Sequence, residues 1–424
     1  MSVALVGKDA RTEALAAACE RSPLEPRTYR PSTTDAVAVL AELRKDPPDL
    51  VLVGPEAPLC AGLADRLEDE LGVPCFGPRQ RHARIEGSKA WARELLAKHG
   101  IGGNPEHRVF RDPTGLTGYL HALGEFVIKP DGLTGGKGVK VSGEHLDESE
   151  GAEYARALIE SDGVVVIEEK LDGEEFSLQT ITDGRTTRHC PLVQDHKRAF
   201  EGDLGPNTGG MGSYTVADHS LPFVNREDMA QAQAINDAVV NALAAELGSP
   251  YHGVLYGGFM ATGEGVKLIE YNARFGDPEA TNVLSILASD LVAVSWAATS
   301  ETLEREDVSF DQRATVCKYV VPEGYPTAPA SGGLIDATDL KPLVGEGRVR
   351  LYWAAVDADP GGWRARMTGS RALAVVGVGD SLEQAEQAAE EAAQRVGGAV
   401  RHRSDIGTAA LLHKRVEHME KLRS

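Results

Sequence analysis

The residues that point most directly to chemistry lie in the segment Glu270-Tyr271-Asn272-Ala273-Arg274, which follows an apolar run. Successive side chains of a β-strand point to opposite faces, so Glu270 and Asn272 are predicted to share one face. A carboxylate and an amide oxygen placed in this way suit Mg²⁺, which also takes oxygens from waters and substrate phosphates. Arg274 continues that face and can stabilise a developing negative charge. The alternative is an exposed edge strand with alternating polar residues.

A second segment places Lys129 at the end of the predicted strand Phe126–Pro130, before a turn that contains four glycines. Glycines let backbone N–H groups approach an anion, and Lys129 and Lys137 supply compact positive charge for phosphate. The turn Gly135–Gly138 is not a P-loop, because the G-x-x-x-x-G-K-[ST] spacing is absent. A hairpin loop with incidental lysines explains this segment equally well when it is taken alone.

A third segment joins the apolar run Val164–Ile167 to the acidic residues Glu168 and Glu169, and a further strand begins near Glu175. A hinge of this kind can offer backbone groups to the edge of an adenine ring, and a carboxylate can accept hydrogen bonds from ribose hydroxyls. For this segment alone, a solvated acidic turn is the favoured interpretation.

A fourth segment, Asp195-His196-Lys197-Arg198, is followed by a glycine-rich run from Gly202 to Gly212. A loop this polar does not suit a protein core, and it is typical of a mobile lid that orders over anionic ligands. His196 is of a type that titrates near neutrality, although a structural hydrogen bond explains it at least as well.

Strands and helices must position these segments, and the first part of the chain alternates them. The apolar runs Val3–Val6 and Leu50–Val53 have the composition of buried parallel strands, and the helix Thr12–Glu20 lies between them. This succession predicts a doubly wound parallel sheet, in which ligands bind at the carboxyl ends of strands. Gly7 and the run Gly54-Pro55-Glu56 occupy such ends.

The remaining elements predict a mixed α/β and α+β chain with several domains. The predicted strands are Phe126–Pro130, Val164–Glu169, Glu175–Asp183, Val254–Met260, Lys267–Tyr271, Val316–Val321 and Ala372–Val376, and the long helices are Arg226–Leu247 and Leu382–Val396. A small β-rich C-terminal domain is expected. We place the domain boundaries at residues 1–100, 101–185, 186–312 and 313–424.

Composition excludes several functional classes. The chain has 424 residues and a formal net charge of −20, which repels nucleic acid. Its apolar runs are too short to span a bilayer, and its first residues do not resemble a signal peptide. The five cysteines are dispersed, which argues against a disulfide framework or a structural zinc site. These features predict a cytoplasmic protein without nucleic-acid or membrane partners.

Taken together and in this order, the segments resemble the ATP-grasp family. The resemblance narrows to the phosphoribosylamine–glycine ligases and covers nearly the whole chain. It rests on Gly54 to Leu59, Glu86-Gly87-Ser88-Lys89, Asp195 to Gly212, Arg274 to Glu279 and Ser404-Asp405-Ile406-Gly407. The implied fold has an N-terminal doubly wound domain, central ATP-grasp domains and a small C-terminal domain.

The resemblance also implies a reaction. ATP, glycine and 5-phosphoribosylamine would give ADP, phosphate and glycinamide ribonucleotide through glycyl phosphate, as the second step of de novo purine synthesis. The enzyme would need Mg²⁺ or Mn²⁺, and would act as a monomer or weak homodimer. By this resemblance, the metal would be bound by Glu270 and Asn272, and catalysis would fall to Arg274 and Lys197. The residues expected to bind ATP are Lys89, Lys129, Gly135, Gly136, Lys137, Gly138, Glu168, Glu169, Leu171 and Glu175. Those expected to bind the other substrates are Gly7, Lys8, Glu56, Asp195, Asp203, Asn207, Thr208, Gly209, Asp277 and Glu279.

The chain departs from the family in its first loop, where members usually carry a Gly-Gly-Arg-Glu-His-Ala-Leu type sequence. Residues 7–15 here contain one glycine, although Lys8 and Arg11 can compensate by charge and the helix that follows points its N-terminus there. A ligase with a different amine acceptor is therefore an alternative hypothesis. A non-catalytic nucleotide-binding paralogue is disfavoured by Lys129 and Glu270. A dinucleotide-dependent oxidoreductase is disfavoured because no G-x-G-x-x-G follows the first strand.

Overall fold

The chain begins with a four-stranded parallel sheet in the computed structural model, which describes residues 1–133, 135, 138–358 and 361–424. The strand order is β2-β1-β3-β4, so the direction of winding reverses between β1 and β3, where doubly wound sheets bind ligands. The elements are β1 (Ser2–Val6), α1 (Ala10–Glu20), β2 (Arg27–Tyr29), α2 (Ala36–Leu43), β3 (Leu50–Val53), α3 (Glu56–Cys60), α4 (Leu63–Arg66), β4 (Cys75–Phe76), α5 (Gln80–Gly87) and α6 (Lys89–Lys98). The predicted parallel sheet is confirmed.

Two glycines let the carboxyl ends of β1 and β3 approach α1 closely. A Cβ atom on Gly7 would lie 2.0 Å from Thr12 Oγ1, and one on Gly54 would lie 2.4 Å from the same atom. Both distances are far below van der Waals contact, so larger residues would push the helix away from the sheet.

A small antiparallel sheet in the order β5-β8-β6-β7 follows and has its own apolar core, which includes Phe110, Phe126 and Ile167. Helix α8 begins with a capping box in which Asp147 and Glu150 satisfy each other's backbone N–H groups. The elements are β5 (His107–Phe110), α7 (Leu116–Leu123), β6 (Phe126–Pro130), β7 (Lys140–Val141), α8 (Glu148–Asp162) and β8 (Val165–Glu169).

A larger antiparallel sheet in the order β10-β9-β15-β16 forms the floor of a large cleft. Helix α9 packs against β15 and β16 with residues such as Ile235, Val239 and Leu243 buried. The elements that lead through this region are β9 (Glu174–Thr182), β10 (Thr187–His189), β11 (Gln194–Asp195), β12 (Arg198–Phe200), β13 (Leu204–Asn207), β14 (Gly212–Thr215), α9 (Arg226–Leu247), β15 (Gly253–Thr262), β16 (Gly265–Asn272), α10 (Glu279–Ser285) and α11 (Leu291–Thr299).

The C-terminal strands pair with strands from the middle of the chain in the order β11-β14-β17-β22-β19, and β23 also pairs with β17. The strands β11 and β14 flank the glycine-rich run 202–212, so this pairing fixes both ends of that run. The elements are β17 (Ala314–Pro322), β18 (Leu334–Asp336), α12 (Lys341–Gly345), β19 (Val349–Trp353), β20 (Val356–Ala358), β21 (Arg364–Met367), β22 (Leu373–Gly379), α13 (Leu382–Arg395), β23 (Val400–Arg401) and α14 (Ala409–Leu422). The strands β18, β21 and β20 form a separate small sheet.

Helix α13 covers β22 through a close contact between small residues. A Cβ atom on Gly377 would lie 2.0 Å from the Ala385 carbonyl oxygen, and the alanines of the helix, including Ala389 and Ala392, are buried. Among the described residues, no helix has the length and apolar character needed to cross a bilayer.

Candidate active site

A cleft with a volume of about 760 Å³ lies where the sheets meet. The predicted site residues that line it are Glu56, Lys89, Lys129, Gly135, Glu168, Glu169, Leu171, Glu175, Asp195, Lys197, Asp203, Asn207, Thr208, Gly209, Glu270, Asn272, Arg274, Asp277 and Glu279. Gly7, Lys8 and Gly138 do not line it, and Gly136 and Lys137 lie outside the described residues. The fold thus gathers residues from widely separated parts of the sequence into one cleft.

One end of the cleft is built around the buried carboxylate of Glu168. Arg93 Nε lies 2.6 Å from Oε1 and Lys129 Nζ lies 2.7 Å from Oε2. Burial alone would raise the pKa of Glu168, but these two cations lower it to about 2. Because one carboxylate serves two cations, the group keeps a net positive charge, and burial together with Arg93 lowers the pKa of Lys129.

A β-bulge in β16 shapes the same end. Leu268 pairs with Phe259 and Glu270 pairs with Gly258, so Ile269 is an extra residue between them. The carbonyl oxygen of Ile269 accepts hydrogen bonds from Lys129 Nζ at 3.0 Å and from Arg93 Nη2 at 2.8 Å. The bulge therefore both orients the cations and re-aims the strand residues that follow it.

Lys89 begins helix α6 beside the glycine-rich turn. Ser88 caps this helix by accepting a hydrogen bond from Trp91 N at 3.1 Å, and the Ser88 hydroxyl donates to Asp131 at 2.9 Å. Lys89 Nζ donates to the Gly132 carbonyl oxygen at 2.9 Å. The start of α6 is thereby tied to the turn that carries Gly135.

Glu270 and Asn272 both line the cleft after the bulge. Burial alone would raise the pKa of Glu270, but Lys197 and Lys129 lower it, so the carboxylate is ionised. Lys197 lies 3.2 Å from Glu175, and the carboxylates of Glu175 and Glu270 raise the pKa of Lys197 although its partial burial opposes this. An ionised carboxylate and an amide oxygen two residues apart form a donor set that fits Mg²⁺.

Arg274 is held by a carboxylate framework from the N-terminal part of the chain. Its Nη2 donates to Glu86 at 2.8 Å, and its Nε donates to Glu56 at 3.3 Å. The other oxygen of Glu86 accepts the backbone N–H of Ala273 at 2.7 Å. Glu56, predicted to bind substrate, therefore orients Arg274 in this structure.

The loop after β1 contributes Arg11 rather than Lys8 to the cleft. Arg11 is buried and donates to the Phe275 carbonyl oxygen at 2.8 Å and to Asp9 at 2.6 Å, whereas Lys8 is exposed. Asp9 also accepts a hydrogen bond from Thr12 N at 2.8 Å and so caps α1. The Asp9 side chain thus occupies the N-terminus of α1.

Asp277 and Arg371 form a further part of the cleft lining. Arg371 donates to the carbonyl oxygens of Gly209 at 2.6 Å and Gly210 at 3.1 Å, and it lies 3.2 Å from an oxygen of Asp277. The hydroxyl of Tyr319 donates to the other oxygen of Asp277 at 2.5 Å. Glu279 similarly accepts a hydrogen bond from Tyr256 at 2.7 Å.

The glycine-rich run is clamped from the C-terminal region. Asp203 accepts hydrogen bonds from Arg403, at 3.1 Å, and from Arg415. Thr208 donates both its N–H and its hydroxyl to the Lys197 carbonyl oxygen, at 2.7 Å and 2.8 Å. Both ring nitrogens of His196 are buried without hydrogen-bond partners in the described part of the chain, and burial and Arg403 lower the pKa of this residue to about 3. His196 therefore stays neutral near pH 7, and the structural hydrogen bond considered for its ring is not present.

The cleft contains functional groups that the sequence did not single out, above all Arg93 and Arg371. Arg93 stands four residues after Lys89 on one helix, so a shared helix face was a usable signal. Arg371 lies in no recognisable motif, and only the fold brings it to Asp277.

Three family models match the chain in succession. They are the phosphoribosylglycinamide synthetase N domain over residues 1–86, its ATP-grasp (A) domain over residues 87–280 and its C domain over residues 315–409. The phosphoribosylamine–glycine ligase of Methanocorpusculum labreanum is 49% identical over 393 residues, which cover 92% of this chain and 88% of that protein. The enzyme of the same name from Methanoregula boonei is 48% identical over 427 residues, covering 99% and 96%.

Solved structures agree with this assignment. The crystal structure of the Thermotoga maritima phosphoribosylamine–glycine ligase matches with a TM-score of 0.78 and 26% identity. The match covers 96% of this chain and 100% of the Thermotoga chain. A biotin carboxylase from Campylobacter jejuni matches with a TM-score of 0.70 and 10% identity, which shows the fold alone. Fold and cleft define an ATP-grasp enzyme, an ATP-dependent ligase. Within that class, the chain belongs to the phosphoribosylglycinamide synthetase family, also called the phosphoribosylamine–glycine ligases.

Proposed function

We propose that the chain joins glycine to 5-phosphoribosylamine with hydrolysis of ATP to ADP and phosphate, forming glycinamide ribonucleotide in de novo purine synthesis. Family membership supports the reaction. The observation that carries it to this cleft is the presence of an ionised Glu270, on β16 of the larger antiparallel sheet, close to the Lys129–Glu168–Arg93 group. Cations suited to phosphates thus lie beside a carboxylate suited to a divalent metal.

In the first proposed step, an oxygen of the glycine carboxylate attacks the γ-phosphorus of ATP, and the bond from that phosphorus to the β,γ-bridging oxygen breaks. Lys89 and Lys129 would neutralise the phosphates, and Arg274 would stabilise charge on the transferred group. Because Glu168 and the Ile269 carbonyl oxygen hold Lys129, little reorganisation is needed at the moment of transfer. The hinge Glu169 to Leu171 would contact adenine, and Glu175 the ribose.

In the second proposed step, the amine nitrogen of phosphoribosylamine attacks the carbonyl carbon of glycyl phosphate, the bond from that carbon to the phosphate oxygen breaks, and the nitrogen releases one proton as phosphate leaves. A carboxylate resists such attack because of its charge and resonance, whereas an acyl phosphate has a good leaving group. Lys197 and Arg274 would offset the negative charge that develops on the carbonyl and phosphate oxygens. The wall formed by Asn207, Thr208 and Gly209, with Asp277, would face the ribosylamine.

Glu270 and Asn272 would hold Mg²⁺ or Mn²⁺, because the first is an ionised carboxylate and the second carries a neutral oxygen on the same cleft surface. When bound, the metal supplies positive charge to the phosphates of ATP. Glu270→Ala should therefore abolish metal-dependent ADP formation and leave the fold intact. Exposed Glu125, paired with Lys170 on the surface, gives a matched Glu125→Ala control that should keep full activity.

The assay is ADP release by the purified chain with ATP, Mg²⁺, glycine and freshly prepared phosphoribosylamine. Release that requires both glycine and phosphoribosylamine supports the proposal. Release with glycine and another amine, but not with phosphoribosylamine, would instead favour the changed acceptor suggested by the first loop. Absence of ADP above background with every amine would refute both, and unchanged turnover by Glu270→Ala would remove that residue from the metal site.

The remaining features of the proposal concern the whole molecule. We propose a cytoplasmic enzyme, because its substrates are small soluble metabolites, and a monomer or weak homodimer, because the charge of −20 opposes self-association. The proposed domain boundaries are residues 1–100, 101–185, 186–312 and 313–424. Size-exclusion chromatography with light scattering tests the oligomeric state.

A further inference from the structure

Helix α14 (Ala409–Leu422) brings into the cleft an arginine that belongs to none of the sequence motifs. Leu411, Arg415 and Met419 follow one another at intervals of four residues and so share one face of the helix. Leu411 and Met419 are buried, and Arg415, between them, lines the cleft. The match to the C-domain family model ends at residue 409. The role of Arg415 is therefore defined by its contacts in the structure.

Arg415 bridges two segments of the cleft lining. Its Nη1 lies 3.1 Å from Glu174 Oε2, and its Nη2 donates to Asp203 Oδ2. Glu174 opens β9 shortly after the hinge Glu169 to Leu171, whereas Asp203 lies near the start of the glycine-rich run. Both carboxylates line the cleft. One guanidinium group therefore joins the hinge side of the cleft to the glycine-rich run.

The bridge is largely withdrawn from water. The exposed fraction is 17% for the side chain of Arg415 and 6% for that of Glu174. Burial raises the pKa of Glu174, and Arg415 opposes this rise. Burial would also raise the pKa of Asp203, but Arg415, more than any other neighbouring group, lowers it. A planar guanidinium group can bond two carboxylates through separate nitrogens, whereas a lysine ammonium group on its flexible stem cannot reproduce that geometry.

Each of the two carboxylates also has a second partner. His418 Nδ1 lies 2.7 Å from Glu174 Oε1, and Arg403 Nη2 donates to Asp203 Oδ1 at 3.1 Å. Loss of the Arg415 guanidinium group would therefore leave neither carboxylate without a partner. The fold should survive its replacement, while the direct bridge between the two segments is lost.

We propose that Arg415 is a positioning residue that couples occupancy of the nucleotide site to order in the glycine-rich run from Gly202 to Gly212. A nucleotide that fixes the hinge also holds Glu174 in place, so Asp203 then closes the bridge at a smaller cost in conformational entropy. By linkage, a ligand that orders the run strengthens nucleotide binding by the same factor. The inference rests on the proposed function for placing ATP at the hinge and the ribosylamine at the run.

The first test is amide hydrogen exchange of the full chain, with and without Mg²⁺ and the β,γ-imido analogue of ATP. In the wild-type chain, the analogue should slow exchange on the order of 10-fold both at residues 169–171 and at residues 203–209. In Arg415→Gln, saturating analogue should still protect the hinge, but protection of residues 203–209 should fall to about 2-fold. Some protection should remain because Lys197 links Glu175 to Thr208 by a second route.

Arg423→Gln is the matched control, because Arg423 follows the same helix and pairs at 2.6 Å with the buried carboxylate of Asp228, which lies on α9 outside the cleft lining. This variant also removes an arginine that anchors α14, but it should keep both protections. Arg415→Lys retains the charge without the two-carboxylate geometry, so it should lose protection of residues 203–209 as Arg415→Gln does.

Steady-state kinetics provide the second test. Arg415→Gln should raise KM for ATP and KM for phosphoribosylamine together, each on the order of 10-fold, and should leave KM for glycine unchanged. A merely structural role would instead lower kcat through a smaller active fraction, without changing the KM for any substrate. Arg423→Gln should leave all three KM values unchanged.

Several results would overturn the coupling. Unchanged protection of residues 203–209 in Arg415→Gln would show that the bridge does not order the run, and equal loss in Arg423→Gln would assign the effect to docking of α14. A raised KM for ATP with the run still protected would make Arg415 a direct ligand contact instead. If Arg415→Gln does not fold, full protection in Arg415→Lys contradicts the proposal.

Failure of the proposed function has a different signature. If the analogue leaves the hinge of the wild-type chain unprotected, both the placement of ATP and the coupling are refuted. If the protections appear as expected but the wild-type chain forms no ADP with glycine and phosphoribosylamine, the coupling stands and the proposed reaction fails.

Discussion

Replacing Glu168 with glutamine should destabilise the fold by removing the carboxylate that two buried cations share. Glu168 accepts Arg93 at 2.6 Å and Lys129 at 2.7 Å, and both members of each pair are largely buried. The pKa of Glu168 falls from 4.5 to about 2. Since one pKa unit corresponds to about 1.36 kcal/mol, the ionised carboxylate is stabilised by roughly 3 kcal/mol. Breaking a buried pair by removing one partner costs a similar amount, about 3–5 kcal/mol.

The pH dependence has a definite sign. Because the folded-state pKa is depressed, the contribution of Glu168 is complete above the unfolded pKa near 4.5 and is lost as the pH falls toward 2. Urea unfolding followed by tryptophan fluorescence should show Glu168→Gln less stable by about 3 kcal/mol at pH 7. The difference from wild type should narrow below pH 4.5.

Kinetics give a second measurement of the same variant. Without the Glu168 anion, Lys129 would face Arg93 with less compensating charge, so its ammonium form would be disfavoured further and KM for ATP should rise. Glu125→Gln removes a carboxylate whose side chain is 72% exposed, and it should cost less than about 1 kcal/mol. A Glu168→Gln variant as stable as this control, or a stability difference independent of pH, would refute the reasoning.

Two further substitutions test the part of the cleft lining that Arg371 and Gly210 form. Arg371→Lys cannot reproduce the guanidinium bonds to Gly209, Gly210 and Asp277, so kcat/KM should fall on the order of 100-fold because these groups are misplaced. The control Arg366→Lys changes an exposed arginine bonded to one carbonyl oxygen and should have no effect on kcat/KM. Equal kcat/KM in the two variants would contradict the positioning role of Arg371. Gly210 has a φ of +109°, and a Cβ atom there would lie 2.6 Å from Asp195, so the Gly210→Ala variant should lose about 1–2 kcal/mol of stability and also activity. The control Gly143→Ala, at a φ of +78° with nothing within 4 Å, should lose stability only. A fully active Gly210→Ala variant would show that the cleft lining at Gly210 can shift without affecting catalysis.

Local patterns were sufficient for much of the fold. The apolar runs at β1 and β3 and the polar alternation at β16 follow from residue types a few positions apart, so their strands are readable from the sequence. The break in β16 is different. The extra residue Ile269 arises from pairing with β15, and a bulge depends on the partner strand as much as on the strand itself.

The sequence by itself determined the order of the chemical segments, the parallel N-terminal sheet and the charge balance, because each depends on neighbouring residues or on totals. The tertiary structure decided what those residues contact. In the folded chain, Glu168 pairs with Arg93 and Lys129, and Asp203 pairs with Arg403 and Arg415. One oxygen of Asp195 has no hydrogen-bond partner among the described residues. These outcomes depend on burial and on partners up to 212 residues away. The pairing of charges in the interior depends on which surfaces the fold brings together. A local sequence pattern does not specify those contacts.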